Sequence, residues 1–257
     1  MTAPEPFHPT DTSLTGKHAW VTGGGGDIGR ASALALARAG AHLHLIGRNA
    51  DRLDLAAADI ASAVGRSPAI YPFDVTDIVA VTELFQTATV DVLVNSAGTN
   101  IPQHLDEVRA ADFDTVFGVN VRAAFFVTQQ AVRAMRRDGR PGSIIMISSQ
   151  MGHVGGPKRS VYCGSKWAVE GMTRALALEV ASDHIRVNTV APTFVETEMT
   201  REFLEDASFR QFVLGSIPLG TMAKPDDVAA AVEFLARDSS RMITGTSIRV
   251  DGGWTAQ

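Results

Sequence analysis

The stretch VYCGSKWAVEG places a phenol and an amine four residues apart, at Tyr162 and Lys166. On a helix this spacing puts both side chains on one face. A phenol is a poor base at neutral pH, and a neighbouring ammonium group stabilises the phenolate. The pair therefore has the chemistry of a general acid/base, although an ordinary amphipathic surface pair has the same spacing.

A hydroxyl group precedes this pair. The apolar run GSIIMISS ends in Ser148 and Ser149, and Ser149 lies thirteen residues before Tyr162. Open α/β sheets bind their ligands at the carboxyl ends of strands, which is where this run ends. The sequence therefore predicts a serine hydroxyl near the phenol.

The elements that position these residues follow a βαβ rhythm, in which short apolar runs alternate with longer stretches at helical spacing. The predicted strands are His18 to Thr22, His42 to Ile46, Ala69 to Phe73, Val90 to Asn95, Gly142 to Ser148, Arg186 to Val190 and Ser247 to Val250. The predicted helices are Ile28 to Ala39, Ala50 to Val64, Ile78 to Thr87, Ala110 to Arg137, Val161 to Ala181 and Pro225 to Ala236.

The strands are continuous apolar runs, as expected where helices cover both faces of a parallel sheet. We expect an N-terminal arm at residues 1–14 and a single-domain, doubly wound Rossmann fold at residues 15–257, an α/β sheet of about seven strands. Thr193 to Ala223 has no clear rhythm and is predicted to be a substrate loop. Its apolar residues fit one or two short lid helices as well as they fit core packing.

Composition excludes several classes of protein. The net charge of -5 and the scattered Lys and Arg residues argue against a nucleic-acid partner. The single cysteine, Cys163, excludes an internal disulfide, and no His and carboxylate cluster has metal-ligand spacing. No apolar run is long enough to span a membrane, so the expected location is the cytoplasm.

The first strand runs through VTGGGGDIGR into a helix, the order that dinucleotide binding requires. Gly24-x-Gly26-x-x-Gly29 fits the general spacing of such a loop, although four consecutive glycines also fit a purely structural turn. Asp27 brings a negative charge to a turn that would hold phosphates.

The end of the second strand indicates which nicotinamide cofactor is bound. A carboxylate there would bind the ribose hydroxyls and repel a 2′-phosphate, but the sequence has Gly47 and Arg48. A guanidinium suits a phosphate, so NADP(H) is favoured over NAD(H). The alternative is that Arg48 is a solvated residue at the start of the next helix.

From about Leu14 onward the chain resembles the short-chain dehydrogenase/reductase family, classical type. The matching motifs occur in order, and they are VTGGGGDIG, Asp74-Val75, NSAG at Asn95 to Gly98, Val119-Asn120, Ser149, YCGSK, IRVNTVAPTFVETEM and GTSIRVDGG. The thirteen-residue spacing to Tyr162 matches the family for Ser149 and is one residue out of register for Ser148.

The resemblance implies a role for each catalytic residue. Tyr162 would be the general acid/base, Lys166 would lower the pKa of Tyr162 and hold the nicotinamide ribose, Ser149 would polarise the carbonyl, and Asn120 would anchor a water. Hydride would pass between the nicotinamide and a secondary alcohol or ketone carbon.

The resemblance also implies a set of cofactor-binding residues. Asp74 and Val75 would flank the adenine, Asn95 and Gly98 would line the cleft, and Thr197 would contact the carboxamide. The remaining members are Gly23, Gly26, Asp27, Ile28, Gly29, Arg48, Ala97, Tyr162, Lys166, Pro192 and Val195. Two structural alternatives stay open: Asn95 could tie neighbouring strands together, and Asp74 could take part in capping a helix through Asp77.

Two departures from the family pattern bear on the site. In the family alignment Asp27 replaces the middle glycine, and Gly24-x-Gly26-x-x-Gly29 becomes the accidental match. We expect Asp27 to point away from the phosphates and to support the first helical turn; the competing hypothesis is substrate contact. Thr193 follows Pro192 where the family has glycine, so the local turn is expected to differ.

Gln150 and His153 are the expected substrate residues, although a surface or hydrogen-bonded structural role is the stronger interpretation of His153. The sequence resembles members that act on sugars, polyols and other small secondary alcohols, and also 3-oxoacyl-(acyl-carrier-protein) reductases. The latter should show a basic docking patch, for which the weak candidates are Arg133, Arg136, Arg137, Arg140, Lys158 and Arg159.

Two further expectations concern the whole chain. A non-enzymatic NADP(H)-binding sensor or scaffold stays as an alternative because fold does not dictate activity. The helical stretches Ala110 to Arg137 and Val161 to Ala181 carry more apolar surface than one sheet face needs, and relatives pair these helices across a two-fold axis. We therefore expect a homotetramer, a dimer of dimers.

Overall fold

The computed structural model describes residues 13–256 of the 257, with all side chains in that range except those of residues 199, 202 and 203. The expected N-terminal arm, residues 1–14, lies almost wholly outside the described residues. Seven parallel strands form one sheet in the order β3-β2-β1-β4-β5-β6-β7, which confirms the doubly wound fold. The strands are β1 (His18–Thr22), β2 (His42–Gly47), β3 (Ala69–Pro72), β4 (Val92–Asn95), β5 (Gly142–Ile147), β6 (Ile185–Pro192) and β7 (Ser247–Val250).

Nine α-helices occur in the described residues, on both faces of this sheet and beyond its carboxyl edge. They are α1 (Asp27–Arg38), α2 (Ala50–Val64), α3 (Ile78–Phe85), α4 (Ala110–Phe117), α5 (Ala124–Asp138), α6 (Ser160–Glu179), α7 (Glu198–Leu204), α8 (Ala207–Gly215) and α9 (Pro225–Ala236). Predicted boundaries agree with these within about two residues for most elements, because Gly, Asn, Asp and Pro end the apolar runs.

Two apolar cores cover the two faces of the sheet. One core packs α1, α2 and α9 against strand residues such as Val21 and Leu45. The other packs α3, α5 and α6 against strand residues such as Trp20 and Ile46. Successive strand residues therefore serve opposite cores, which is why the strands are apolar throughout.

The strand register places the strand ends that precede the expected site residues at the same edge of the sheet. Thr22 at the end of β1 lies opposite Asn95 at the end of β4. Ile147 at the end of β5 lies opposite Val190, two residues before β6 ends. The order of the strands reverses between β1 and β4, so a crevice opens at their carboxyl ends, where such sheets bind ligands.

The structure corrects the prediction of one helix from Ala110 to Arg137. A π-helical segment, Gly118–Ala123, separates α4 from α5. Two short helices, α7 and α8, occur in the predicted substrate loop, with a small core around Val213, Ile217 and Met222. The expected helices are therefore present and packed, and their role as a lid stays a prediction.

Two features are absent from residues 13–256. No helix there combines the length and apolar content needed to cross a bilayer. Nor do three or more His, Cys, Asp or Glu side chains come together in that range as a metal ion would require.

Candidate active site

A cavity of about 170 Å³ lies at the carboxyl edge of the sheet. Its walls come from the ends of β4, β5 and β6, from the start of α6 and from the first turn of α1. Ser149, Tyr162 and Lys166 all line it. The fold therefore brings three of the four expected catalytic side chains to one cleft.

Ser149 and Tyr162 face each other in this cleft. Burial raises the pKa of the Tyr162 phenol, and the neighbouring Ser149 hydroxyl acts in the opposite direction. The Ser149 Oγ also accepts a hydrogen bond from the Met151 amide at 3.1 Å and donates to Gln150 Oε1 at 3.1 Å. This geometry favours Ser149 over Ser148 as the hydroxyl beside the phenol.

Lys166 is buried one helical turn after Tyr162. Its Nζ lies 5.5 Å from the centroid of the Tyr162 ring and donates to the Ile147 carbonyl at 2.8 Å. Burial lowers the pKa of Lys166 to about 8, and the nearby carboxylate of Glu170 acts in the opposite direction. The amine therefore keeps its charge at neutral pH, although its lowering of the Tyr162 pKa stays a prediction.

The π-helical segment positions Asn120. Asn120 Oδ1 accepts a hydrogen bond from the Thr99 amide at 2.8 Å, and Nδ2 donates to the Thr99 carbonyl at 2.9 Å. Nδ2 also lies 3.0 Å from Ser165 Oγ on α6. A Cβ built at Gly98 would lie 3.4 Å from Asn120 Oδ1 and 3.8 Å from Lys166 Nζ. Asn120 and Gly98 therefore lie close to Lys166, one of the other expected catalytic residues.

In the glycine turn, which is predicted to hold a phosphate, two glycines of the family alignment have no room for a side chain. Gly23 has φ +66°, and a Cβ built there would lie 2.9 Å from the Ala97 amide nitrogen. A Cβ at Gly29 would lie 2.2 Å from the Gly23 carbonyl oxygen. The nearest atom to a Cβ at Gly26 is 3.4 Å away, so Gly26 has room for a side chain. The family alignment is therefore the one that backbone sterics support.

The first amides of α1, at Asp27 and Ile28, precede the first intrahelical bond, which runs from the Arg30 amide to Gly26. Such amides, at the positive end of a helix and next to a turn without side chains, are the donor set that a pyrophosphate needs. Ile28 also lines the cleft.

Asp27 points across the turn to α7. Its Oδ2 accepts a hydrogen bond at 2.8 Å from the backbone amide of Glu198, the first residue of α7. The carboxylate of Glu198 in turn forms an ion pair with Arg52 of α2. Asp27 thus connects the glycine turn to α7, a contact that neither of the two hypotheses for its side chain included.

Arg48 and Asp74 meet at the adenine end of the predicted cofactor path. Arg48 is an exposed residue after β2, and its guanidinium lies 3.8 Å from the Asp74 carboxylate. Asp74 also accepts hydrogen bonds from the amide and hydroxyl of Thr76. Asp77, not Asp74, caps α3 through the amides of Val79 and Ala80.

Three of the expected cofactor residues have structural contacts. Asn95 Nδ2 donates to Thr128 Oγ1 at 2.9 Å and approaches the Met146 sulfur at 3.3 Å, so it ties β4 to α5 and β5. Val75 is buried in the second core. The amide of Ala97 donates to Thr22 Oγ1 at 3.2 Å, which holds the ends of β1 and β4 together.

Pro192, Val195 and Thr197 line the cleft as expected. Thr197 also caps the start of α7, where its hydroxyl accepts the Thr200 amide at 3.3 Å. Thr193 lines the same wall, donates its amide to the Val250 carbonyl at 3.1 Å and has no left-handed backbone. Replacing glycine by Thr193 therefore adds a side chain to the cleft without an unusual φ.

Of the two expected substrate residues, only Gln150 lines the cleft. His153 Nε2 lies 3.0 Å from Ser247 Oγ and 3.3 Å from the buried carboxylate of Glu170. That carboxylate also accepts a hydrogen bond from Thr189 Oγ1 at 3.0 Å. These contacts favour the hydrogen-bonded structural role of His153 over a substrate role.

The sequence pointed to Ser148 as a rival hydroxyl and to Thr193 as a departure from the family pattern, but it did not indicate Asn100 as a cleft residue. Asn100 Oδ1, Ser148 Oγ and Thr193 Oγ1 are buried in its wall without a hydrogen bond to any other described residue. Buried polar atoms normally have partners, so these three are suited to polar groups of a ligand. Arg159 also lines the cleft. Its position three residues before Tyr162 was the available signal, but the sequence did not show that its side chain turns inward.

Comparisons with known proteins agree with this geometry. The family model described as enoyl-(acyl carrier protein) reductase matches residues 25–255. L-xylulose reductase of Mesocricetus auratus is 38% identical over 247 residues, 95% of this chain and 98% of the relative. The 3-oxoacyl-(acyl-carrier-protein) reductase FabG of Rickettsia conorii is 38% identical over 241 residues, 93% of this chain and 97% of the relative.

A solved structure agrees as well. Gluconate 5-dehydrogenase of Burkholderia cenocepacia J2315, in complex with NADP and tartrate, has a TM-score of 0.90 and 30% identity, and the match covers 96% of this chain and 98% of that one. Fold, cleft and relatives together define an oxidoreductase that uses a nicotinamide cofactor and acts on CH–OH groups. The chain belongs to the short-chain dehydrogenase/reductase family.

Proposed function

We propose that this chain is an NADP(H)-dependent oxidoreductase that interconverts a small, polyhydroxylated secondary alcohol and its ketone. The observation that carries the proposal is that Ser149, Tyr162 and Lys166 line one cleft, with the Lys166 amine 5.5 Å from the centroid of the phenol ring. The three buried polar atoms of Asn100, Ser148 and Thr193 support a substrate with several hydroxyl groups.

In this proposal Tyr162 exchanges a proton with the substrate oxygen, and Ser149 holds that oxygen by a hydrogen bond. Lys166 supplies a positive charge that favours the phenolate, and Asn120 orders the backbone of Thr99 and a water in the proton path. When bound, the nicotinamide supplies or accepts a hydride at the substrate carbon. The amides of Asp27 and Ile28 and the bare turn at Gly23 would hold its pyrophosphate.

Arg48 supports NADP(H) as the cofactor. Its guanidinium is 76% exposed beyond β2, and no carboxylate occupies the end of that strand to repel a 2′-phosphate. The NADP complex of the gluconate 5-dehydrogenase is consistent with this assignment. We expect a Michaelis constant for NADPH at least about tenfold below that for NADH, and Arg48→Gln to raise the NADPH constant alone.

The second candidate function is 3-oxoacyl-(acyl-carrier-protein) reduction, which the relative from Rickettsia conorii favours. The expected basic docking patch is weak in the structure. Arg136 pairs with Asp183 and Arg140 pairs with Asp91, while Arg159 is buried in the cleft. The sugar-related names of the other two relatives agree better with the polar wall of the cleft.

We also propose a homotetramer. Trp167 on α6 and Phe113 on α4 expose large apolar side chains, on the helical stretches that the sequence predicts to pair.

The test is a panel of sugars, polyols, simple ketones and acyl thioesters, assayed in both directions with both cofactors. We expect turnover of a small polyhydroxylated substrate with NADPH or NADP⁺. Tyr162→Phe should reduce turnover at least about a hundredfold while NADPH still binds. Preferential turnover of acyl thioesters would establish the second candidate, and near-normal turnover by the Phe variant would remove the proposed acid/base.

A further inference from the structure

Arg159 places a positive charge in the wall of the catalytic cleft. It is the residue before α6, three positions before Tyr162, and it lines the cleft together with Ser149 and Gln150. Its exposed fraction is 8%, the lowest of any arginine in the described part of the chain. Arginine is rarely buried this deeply, because desolvating its charge is costly.

The backbone around Arg159 is held on both sides. The Arg159 amide donates to the Gly156 carbonyl at 3.2 Å, and the Arg159 carbonyl accepts from the Cys163 amide at 2.7 Å. The preceding carbonyl, of Lys158, accepts from the Gln103 amide at 3.1 Å. These contacts fix the position from which the guanidinium enters the cleft.

Lys158 adopts a left-handed conformation with φ +59°. This conformation is costly for a residue with a Cβ, and strain of this kind concentrates at functional sites. It turns the chain so that Lys158 is exposed while the next side chain is buried.

The charge of Arg159 acts on the reacting group as well. Burial lowers the pKa of Arg159, and interactions with Tyr162 and Cys163 act in the opposite direction. The guanidinium nevertheless stays protonated at neutral pH. Its NH1 donates a hydrogen bond to the Lys158 carbonyl oxygen at 3.4 Å.

The same wall contains the buried polar atoms Asn100 Oδ1, Ser148 Oγ and Thr193 Oγ1. A guanidinium beside such atoms is the combination that would bind a small molecule carrying both hydroxyl groups and a negative charge. A neutral sugar or polyol would use the polar atoms alone, whereas an anionic one would also form an ion pair with Arg159.

We propose that Arg159 binds an anionic group of the substrate, a carboxylate or a phosphoryl group, and so selects hydroxy acids or phosphate esters over neutral alcohols. This inference rests on the proposed function and names its substrate class. The planar guanidinium forms two parallel hydrogen bonds to either group, while Tyr162 reaches the reacting oxygen of the same molecule.

The test compares matched substrates in the wild-type protein. Each polyhydroxy acid in the panel is assayed beside its primary amide, which has nearly the same shape without the charge, and each phosphate ester beside its parent alcohol. We expect kcat/KM for the charged member of one such pair to exceed that for the neutral member at least about thirtyfold. The preferred pair identifies the anion as carboxylate or phosphate.

Arg159→Gln should bring this ratio close to one, mainly by raising KM for the charged member, and Arg159→Lys should restore part of it. Lys158→Gln is the matched control, because it removes an exposed charge one residue away and should keep the ratio. Melting temperature and NADPH binding report whether each variant is folded.

Three results would overturn the inference: a wild-type ratio near one, a ratio unchanged in Arg159→Gln, or equal losses for both members of a pair. Equal losses would mean that Arg159 acts through Tyr162 and not on the substrate anion. Turnover of neutral substrates without any preference defeats this inference and leaves the proposed function intact. No turnover of any member of the panel defeats the proposed function itself.

Discussion

In the VTGGGGDIGR turn, the contacts that an added Cβ atom would make show which positions require glycine. A methyl group at Gly29 would meet the Gly23 carbonyl oxygen at 2.2 Å, whereas one at Gly26 would meet nothing closer than 3.4 Å. The two positions have the same residue and lie in the same turn. They therefore form a matched pair for substitution.

Gly29→Ala should destabilise the protein by about 2 kcal/mol or more, because backbone atoms must move apart. Gly26→Ala should cost less than about 1 kcal/mol, since its φ of −88° suits any residue. Urea denaturation of the two variants measures both values. Equal destabilisation by the two substitutions would contradict this account of the turn.

Asp27 shows how one side chain joins two parts of the site. Its carboxylate accepts the amide of Glu198 at 2.8 Å, so it stabilises the start of α7 as a capping residue would. The same residue lies in the first turn of α1, where a negative charge is favourable.

Asp27→Ala should therefore loosen the first turn of α7, and the Glu198 amide should exchange its hydrogen about fivefold faster. Asp51→Ala is the control, because Asp51 occupies the first turn of α2 and is exposed. Hydrogen exchange measured by NMR or mass spectrometry gives the comparison. Unchanged protection of α7 in Asp27→Ala would show that this hydrogen bond does not hold α7.

At the scale of elements, aromatic and histidine side chains pack across β1, β2 and β3. The rings of Trp20 and His44 stack with centroids 4.1 Å apart, and His44 Nε2 lies 3.1 Å from His18 Nδ1. Burial lowers the pKa of His44 to about 4, and the neighbouring His18 and His42 add to this. The cluster therefore favours the neutral form of the His44 imidazole.

This shift makes the stability of the fold depend on pH. Between the unfolded pKa of about 6.5 and the folded pKa of about 4, the unfolded chain binds a proton that the folded chain does not. Stability should therefore be complete above about pH 6.5 and fall as the pH decreases towards 4, by about 2 kcal/mol after allowance for partial exposure.

Urea denaturation at pH 7.5 and pH 5 measures this loss. His44→Phe keeps the stacking on Trp20 and should flatten the dependence, whereas His104→Gln, at an exposed site outside the cluster, should leave it unchanged. A slope that is the same in wild type and His44→Phe would mean that other groups cause it.

At the scale of the whole molecule, the exposed apolar side chains bear on assembly. Trp167 is 53% exposed on α6, directly after Lys166, and Phe113 is 43% exposed on α4. Burial of such aromatic groups against a second copy would remove apolar area from water. Assembly across α6 would also fix the helix that carries Tyr162 and Lys166.

Light scattering should give the mass of a homotetramer for the wild-type protein and a smaller species for Trp167→Glu. Val79→Glu, at an apolar position on α3 that is 68% exposed, is the control and should keep the tetramer. A wild-type monomer would defeat the proposal of a tetramer.

The sequence by itself determined the fold and the edge of the sheet at which the site lies. Apolar runs that end in Gly, Asn, Asp or Pro predicted the strands and helices, and the parallel arrangement then placed Thr22, Asn95, Ser149 and Pro192 at one edge of the sheet. The four-residue spacing of Tyr162 and Lys166 placed both on one helical face. These features follow from local periodicity, which depends only on residues that are close together in the sequence.

Only the tertiary structure decided where individual side chains turn. The π-helical segment at Asn120 has no local signal, because its hydrogen bonds to Thr99 come from another part of the chain. The same reason applies to Asp27, which meets the amide of a residue 171 positions later. Arg159 was expected on the surface, and its burial depends on the backbone of Lys158 and on the cleft that three strand ends form. Contacts between residues far apart in the sequence depend on tertiary packing, and local sequence patterns do not predict them.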